Sequence, residues 1–376
     1  MKLRSLQAQG YRSLRAIDLD LSQVNLFVGE NGVGKSNLYR ALQLLQAAAT
    51  GRLAEEIAAE GGMGSALWSG QRRKTEPARI ILSAELLDDE RAVTFRYRAE
   101  AGLRPPQAAV GFALEPQIKE EELSVETGHT PVAMMRRKGP AVFVRDESGR
   151  MVDYPERAMT SETALAMLGD AGHYPEIGTV RSLLERWRFF HGFRTDRDSP
   201  LRRPCLAITA PLLAEDGANL AAVFATLSVT REDTAELDAA VSDALGGARL
   251  MIPEPGETAS FGLVLPEFPR RVFQPRELSD GQIRFLALAG ALLSYRRPPL
   301  IALNEPEASL HPDMLAPLAR LVAEASRDSQ IWVVTHSEKL ATEIAARASA
   351  QRWTVTREEG ETRLVAGIAS RNTRHS

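Results

Sequence analysis

The run Gly29-Glu30-Asn31-Gly32-Val33-Gly34-Lys35-Ser36 carries the spacing GxxxxGK[ST] in full. Glycines at these places let a backbone curl until successive N–H groups point inward, which makes a concave seat for an anion. A lysine closing the curl adds a point charge, and the neighbouring serine hydroxyl is a hard oxygen ligand for a divalent cation. Asn31, Gly32, Val33, Gly34, Lys35, Ser36 and Asn37 are therefore expected to hold a phosphate chain, with Ser36 reaching the metal. The bland alternative is a glycine-rich turn. Against it stand the apolar run Val24–Val28 before the loop and the helical spacing of Leu38, Ala41, Leu42 and Leu45 after it. Lysine is also scarce, six against forty arginines, so its use here is informative.

Other polar groups fall at the ends of apolar stretches. Residues 300–303 run into Asn304-Glu305-Pro306-Glu307, and 331–334 run into Thr335-His336-Ser337. In α/β sheets ligand groups gather at the carboxyl ends of strands, so Asn304, Glu305 and His336 are expected near the glycine-rich loop. A carboxylate such as Glu305 can orient and polarise water for in-line attack on phosphorus. Asn304 can accept a hydrogen bond from a metal-bound water but brings no charge. Leu278-Ser279-Asp280-Gly281-Gln282 opens a helix, where Ser279 and Gly281 sit at an anion-favouring N-terminus. Taken alone, that segment reads as a helix N-cap, and His336 as a structural or solvated histidine.

Together and in this order, the motifs resemble the ATP-binding-cassette-type ATPases, in particular the RecF/SMC-like branch, also grouped with the OLD-like AAA-type ATPases. Gly10-Tyr11-Arg12-Ser13-Leu14, the loop 29–36, and segments 278–282, 300–312 and 333–337 carry the resemblance. It implies an α/β P-loop NTPase of the ABC-ATPase head type. The sheet would be mixed and flanked by helices, with a β-rich and helical insertion between P-loop and signature. Three parts are expected: 1–101 and 276–376 as the two portions of the ATPase core, and 102–275 as the insertion. ATP and Mg²⁺ are the implied cofactors, the metal held at Ser36 and Asn304. Segment 278–282 is similar to the signature LSGGQ with Asp280 in place of a glycine. In the family it caps a γ-phosphate held by another subunit, so Ser279, Gly281 and Gln282 are expected nucleotide contacts. Glu305 matches the glutamate that acts on water, and His336 the switch histidine.

Asn304 stands where the family usually has Asp, which implies slow hydrolysis more than lost ATP binding. His311-Pro312 matches a loop that crosses the dimer interface in relatives, although Pro312 at a first helical position also explains itself. The family's glutamine loop has no assigned counterpart; Gln107 and Gln117 fall in the least legible region. The implied function is a conformational switch that homodimerises on ATP. It would act on DNA or a partner protein in DNA repair, chromosome maintenance or anti-phage defence. The alternative is an ATP sensor with little hydrolysis.

The rest of the chain sets the frame. A sequence of 376 residues with 44% hydrophobic and 25% charged residues is ordinary globular composition. A net charge of −3 creates no global pull toward nucleic acid. Arg72-Arg73-Lys74, Arg136-Arg137-Lys138 and the loop holding Arg194, Arg197, Arg202 and Arg203 can touch phosphates, but solvated surface charge is the simpler reading. Cys205 is the single cysteine, so neither an internal disulfide nor a CxxC zinc site is available. The apolar run 285–293 is far short of a membrane span, and the N-terminus has no leader-like apolar region, so a cytoplasmic protein is expected. No lysine follows an asparagine, which removes the NKxD guanine reader, and the 40 residues after His336 contain no Asp for a DxD nuclease pair. A kinase would have no use for segment 278–282. Periodicity predicts strands over 17–21, 80–86 and 92–99, short β-like pieces such as 141–144 within 102–155, and a helix over 178–192. A helix broken near Thr230 is expected over 219–245, with further helices after Gly281, over 312–325 and over 338–348. A closing hairpin is expected around Glu359-Gly360.

Overall fold

The computed structural model describes residues 1–71, 77–103, 114–128, 130–168, 172–231 and 234–367. Arg72-Arg73-Lys74 and Gln107 lie outside them. The chain forms two compact units that interleave along the sequence. The first comprises Met1–Ser22, Glu30–Trp187 and Val355–Val365; the second comprises Gln23–Gly29, Arg188–Thr354 and Ala366–Ser376. The expected cuts at 101 and 275 follow the order of motifs, whereas each unit collects strands from distant parts of the chain.

Three strands open the sequence, β1 (Lys2–Tyr11), β2 (Leu14–Asp20) and β3 (Val24–Val28), followed by α1 (Lys35–Ala49), α2 (Leu53–Ala59) and α3 (Gly62–Ala66). Strands β4 (Arg79–Asp88), β5 (Val93–Gly102), β6 (Gln117–Glu126), β7 (Val132–Lys138), β8 (Ala141–Arg145) and β9 (Met151–Asp153) come next, then α4 (Ala164–Met167) and α5 (Pro175–Glu185). All but β3 belong to the first unit, whose sheet runs β2-β1-β4-β5-β6-β7-β8-β9 with antiparallel neighbours. Ile80, Leu82, Ala84 and Leu86 are buried on alternate positions of β4, as period-two patterning requires. The polar middle of the chain extends this sheet by successive hairpins. Glu120, Glu121 and Glu122 sit opposite Lys138, Arg137 and Arg136, and Arg136 and Arg137 form cross-strand ion pairs with Glu122 and Glu121. α1 buries Leu38, Ala41, Leu42 and Leu45, the face expected from their spacing.

The second unit holds β10 (Arg188–His191), the short strands β11 (Cys205–Leu206), β12 (Arg249–Met251), β13 (Thr258–Ala259) and β14 (Gly262–Val264), and helices α6 (Leu220–Thr226), α7 (Ala235–Ala244) and α8 (Asp280–Leu293). β15 (Leu300–Asn304), α9 (Leu315–Ala325), β16 (Gln330–Thr335), α10 (Glu338–Ala345), β17 (Ala350–Glu358) and β18 (Glu361–Ala366) complete the chain. The helix expected over 178–192 is shorter: it starts at Pro175, a residue suited to a first turn, and ends at Glu185. Residues 188–191 instead form β10, because Phe189 and Phe190 are buried and the backbone pairs with β15. Sheet pairing outweighs local helical spacing there. The break near Thr230 is present between α6 and α7.

In this unit the strand order is β10-β15-β16-β3-β17, and each adjacent pair is parallel. The central strands β3, β15 and β16, separated by hundreds of residues, meet because they are buried at every position and can be covered by helices on either side, while β10 and β17 flank them with more exposed residues. α8 is buried from Ile283 through Leu293 and packs on α6, α7 and α9. Among the described residues no helix is long and apolar enough to cross a membrane.

Candidate functional site

The glycine-rich loop begins where β3 ends. Gly32 and Gly34 have φ of 82° and 100°, a region that costs a side-chain-bearing residue dearly. At Gly34 space is also closed: an ideal Cβ would lie 2.5 Å from Ser13 Oγ and closer still to Thr362 Oγ1. The first unit braces the loop from behind. Ser13 Oγ and Thr362 Oγ1 are 2.6 Å apart, Thr362 Oγ1 donates to the Val33 carbonyl at 3.0 Å, and Arg357 donates to the Gly32 carbonyl at 3.3 Å. Asn37 donates to Ser13 Oγ at 2.7 Å, so its side chain serves this brace and not the concave side of the loop. Lys35 is 4% exposed and its Nζ donates to the Glu30 carbonyl at 2.6 Å, across the curl. Asn31, Gly32 and Ser36 are exposed, Val33 half-buried.

In the second unit parallel register does the positioning. His191 on β10 is level with Asn304 on β15, Asn304 with Val334 on β16, and Thr335 with Val28 on β3. All these strand ends lie on one edge of the sheet. Glu305 follows with φ of 48°, a left-handed conformation unusual for a glutamate and costing roughly 1–3 kcal/mol. It is held there by its N–H on the Val334 carbonyl at 2.8 Å and by Arg284, which donates to the Glu305 carbonyl at 3.0 Å. His336 Nδ1 lies 3.8 Å from Glu305 Oε1 and 3.2 Å from Glu307 Oε1. The second unit thus brings together both residues expected to act on the reaction, Glu305 and His336.

Three further residues of this edge escaped the sequence reading in whole or part. Glu307 Oε1 accepts from Thr335 Oγ1 at 2.5 Å and from the His336 and Ser337 amides at 3.0 and 3.2 Å. It locks the end of β16 and the start of α10. Arg284 is buried in α8; burial lowers its pKa while the Glu307 and Glu305 carboxylates oppose that. An arginine inside an otherwise apolar helical run was the available signal. His191 touches Asn304 through its Nδ1, and no local pattern marks it.

Asn304 is 3% exposed, and its Oδ1 and Glu307 Oε2 are buried acceptors with no hydrogen-bond partner among the described residues. A neutral amide oxygen suits a metal-bound water better than direct ligation. Among the described residues no trio of His, Cys, Asp or Glu is grouped to hold a metal. In the second unit Asn304 therefore suits Mg²⁺ only through a metal-bound water, and in the first unit the exposed Ser36 hydroxyl is by type a hard oxygen ligand.

The signature segment is built as a reciprocal cap. Ser279 Oγ accepts from the Gln282 N–H at 3.2 Å, and Gln282 Oε1 accepts from the Ser279 N–H at 2.9 Å. Ser279 and Asp280 remain exposed. A Cβ on Gly281 would lie 2.8 Å from the Ser309 carbonyl, so this glycine is required by packing. His311 is exposed and Pro312 starts a short 3₁₀ turn. In the basic loop Arg194 pairs with Asp196, Arg203 with Asp198 and Arg202 with Asp280.

A family model described as "AAA domain, putative AbiEii toxin, Type IV TA system" matches residues 152–342, just over half of the chain, and one described as "AAA ATPase domain" matches residues 1–101. The thiamine import ATP-binding protein ThiQ of Chelativorans sp. (strain BNC1) is 41% identical over 75 residues, 19% of this chain. The match spans only 30% of that relative's length. Among solved structures, the SMC head domain from Thermotoga maritima superposes with a TM-score of 0.51 at 16% identity, covering 98% of this chain and 99% of that one. An SMC head bound to the C-terminal winged-helix domain of ScpA gives 0.53 at 14% identity, covering 98% of each chain. The Smc head with an extended coiled coil bound to the C-terminal domain of ScpA, from Pyrococcus furiosus, also gives 0.53 at 14%, covering 97% and 96%. These likenesses are of fold.

Proposed function

The chain belongs to the AAA-domain family and is an ATPase of the ABC type with an SMC-head fold, and from that premise we propose that it is an ATP-driven conformational switch. Two copies close around ATP, each giving its glycine-rich loop to one nucleotide and its signature to the other; hydrolysis reopens them. One chain carries both halves of such a site, so a homodimer suffices.

Within the site, Lys35 neutralises the β- and γ-phosphates, and Asn31, Gly32, Val33 and Gly34 present backbone to them. Mg²⁺ at Ser36 and Asn304 would shield phosphate charge. Glu305 orients a water against the γ-phosphorus and takes up its proton as the bond to the leaving ADP oxygen breaks. His336 reads whether the γ-phosphate is present. The supporting observation is the aligned carboxyl edge of the parallel sheet, which sets Glu305 and His336 3.8 Å apart. The output is delivered in the cytoplasm to DNA or to a partner protein, in DNA repair, chromosome maintenance or defence against phage. The middle region, 102–275, carries the surface that selects it.

Calorimetry with ATP and Mg²⁺ tests the nucleotide half: wild type takes up nucleotide and Lys35→Ala does not. Light scattering with ATP tests the closure half: Glu305→Gln accumulates as a dimer. A variant that stays monomeric at saturating ATP overturns the switch. The neutral Asn304 amide with its unpartnered Oδ1 favours a second reading, an ATP sensor with little turnover. Phosphate release separates the two.

A further inference from the structure

The sequence reads Arg202 most simply as solvated surface charge, but its side chain is 7% exposed and donates four hydrogen bonds. Its Nη1 donates to the Leu278 carbonyl at 2.7 Å and the Pro275 carbonyl at 2.9 Å. Its Nη2 donates to Asp280 Oδ1 at 2.7 Å, and its Nε to the Thr195 carbonyl at 2.9 Å. Two of these four bonds hold the signature segment, at Leu278 and Asp280, a third holds Pro275 just before it, and the fourth anchors the guanidinium to the loop after β10. That loop is itself stiffened: Ser199 Oγ donates to the Arg194 carbonyl at 2.5 Å and accepts from the Leu201 N–H at 3.2 Å.

The charge pattern gives the clamp a purpose beyond shape. Asp280 occupies the first turn of α8, and its side chain is 62% exposed. A bare carboxylate at a helix start would repel any anion approaching the same N–H groups. Arg202 cancels that charge from the protein side while leaving Ser279 facing solvent. We propose that Arg202 is a positioning residue of the signature: it fixes the backbone of residues 278–280 and neutralises Asp280, so that the segment can accept the triphosphate held by a second copy of the chain. This rests on the closed dimer proposed above.

The experiment uses the full chain carrying Glu305→Gln as parent and reads two quantities, nucleotide affinity of the monomer by calorimetry and ATP-dependent dimerisation by light scattering across protein concentration. Arg202→Ala is expected to weaken dimerisation by at least about tenfold and to leave monomer affinity within about twofold. Adding Asp280→Asn to Arg202→Ala is expected to recover part of the loss, because the repelling charge is gone; a purely structural clamp would show no such recovery. Asp280→Asn alone alters an exposed side chain and keeps the carbonyl bonds. It is expected to dimerise as well as the parent or more tightly, and this arm stands even if Arg202→Ala misfolds. Dimerisation of Arg202→Ala equal to the parent, absence of recovery in the double variant, or weaker dimerisation of Asp280→Asn each overturns the inference. A parent that never dimerises overturns the switch itself, a result distinguishable from these.

Discussion

An asparagine at the carboxyl end of β15 brings no charge to the metal position proposed there, and the neighbour packed against it is His191, not another carboxylate. Asn304→Asp is therefore expected to raise turnover by about tenfold or more, through tighter metal capture and better charge balance around the phosphates. Phosphate release at saturating ATP measures it; an unchanged rate would place the slow step elsewhere. Gly34 argues the same way for geometry. Its φ of 100° and the crowding by Ser13 and Thr362 leave no room for a methyl group, so Gly34→Ala should lose ATP uptake in calorimetry while α1 persists. At this scale the sequence was highly informative about residue types, since phosphate chemistry demands a rigid local spacing. Glu307, Arg284 and His191 were harder to see because their roles depend on neighbours 21 to 113 positions away.

At the scale of elements, the sheet of the first unit depends on a buried polar cluster. Glu121 is 2% exposed and accepts from Tyr97 Oη at 2.8 Å and from the Ala164 and Leu165 amides at 2.6 and 2.9 Å, so it caps α4 from β6. Glu121→Gln would turn an NH₂ group toward those donors and should cost about 2–3 kcal/mol in denaturant unfolding. Burial raises the Glu121 pKa, with the Leu165 and Ala164 amides and Arg137 opposing. The folded state then holds more protons than the unfolded one between the ordinary carboxylate value and the raised one. Stability should accordingly fall as pH rises through that window, and the slope should vanish in Glu121→Gln. The strands of this sheet from β6 onward were poorly legible because charged residues occupy them, and only cross-strand pairing of Glu120–Glu122 with Arg136–Lys138 makes such a sequence a good strand. Conversely, apolar spacing alone predicts helix through residues 188–191, where β15 offers the backbone partners that make them a strand.

For the whole molecule, the prediction concerns association. Ser279 is exposed at the start of α8, so Ser279→Arg should fold and bind ATP as a monomer yet fail to form the ATP-dependent dimer in a Glu305→Gln background. Sedimentation with and without nucleotide reads this directly, and a dimer that persists would remove the signature from the interface. The two compact units each assemble from separate stretches of chain. Their bounds are invisible to composition, because the junctions fall at ordinary residues such as Gly29, Trp187 and Thr354, with no linker-like run to mark them.

The sequence by itself specified the residues proposed for the chemistry, namely the glycine-rich loop, Glu305 and His336, and the order in which they come. Those features are encoded within a few consecutive residues, and local steric and hydrogen-bonding rules suffice to read them. Only the tertiary structure decided which strands lie side by side, that β10 is one of them, and that a single guanidinium holds the signature. Such choices come from burial and pairing among segments far apart in the chain, where many partners satisfy the local pattern and the packed core accepts one.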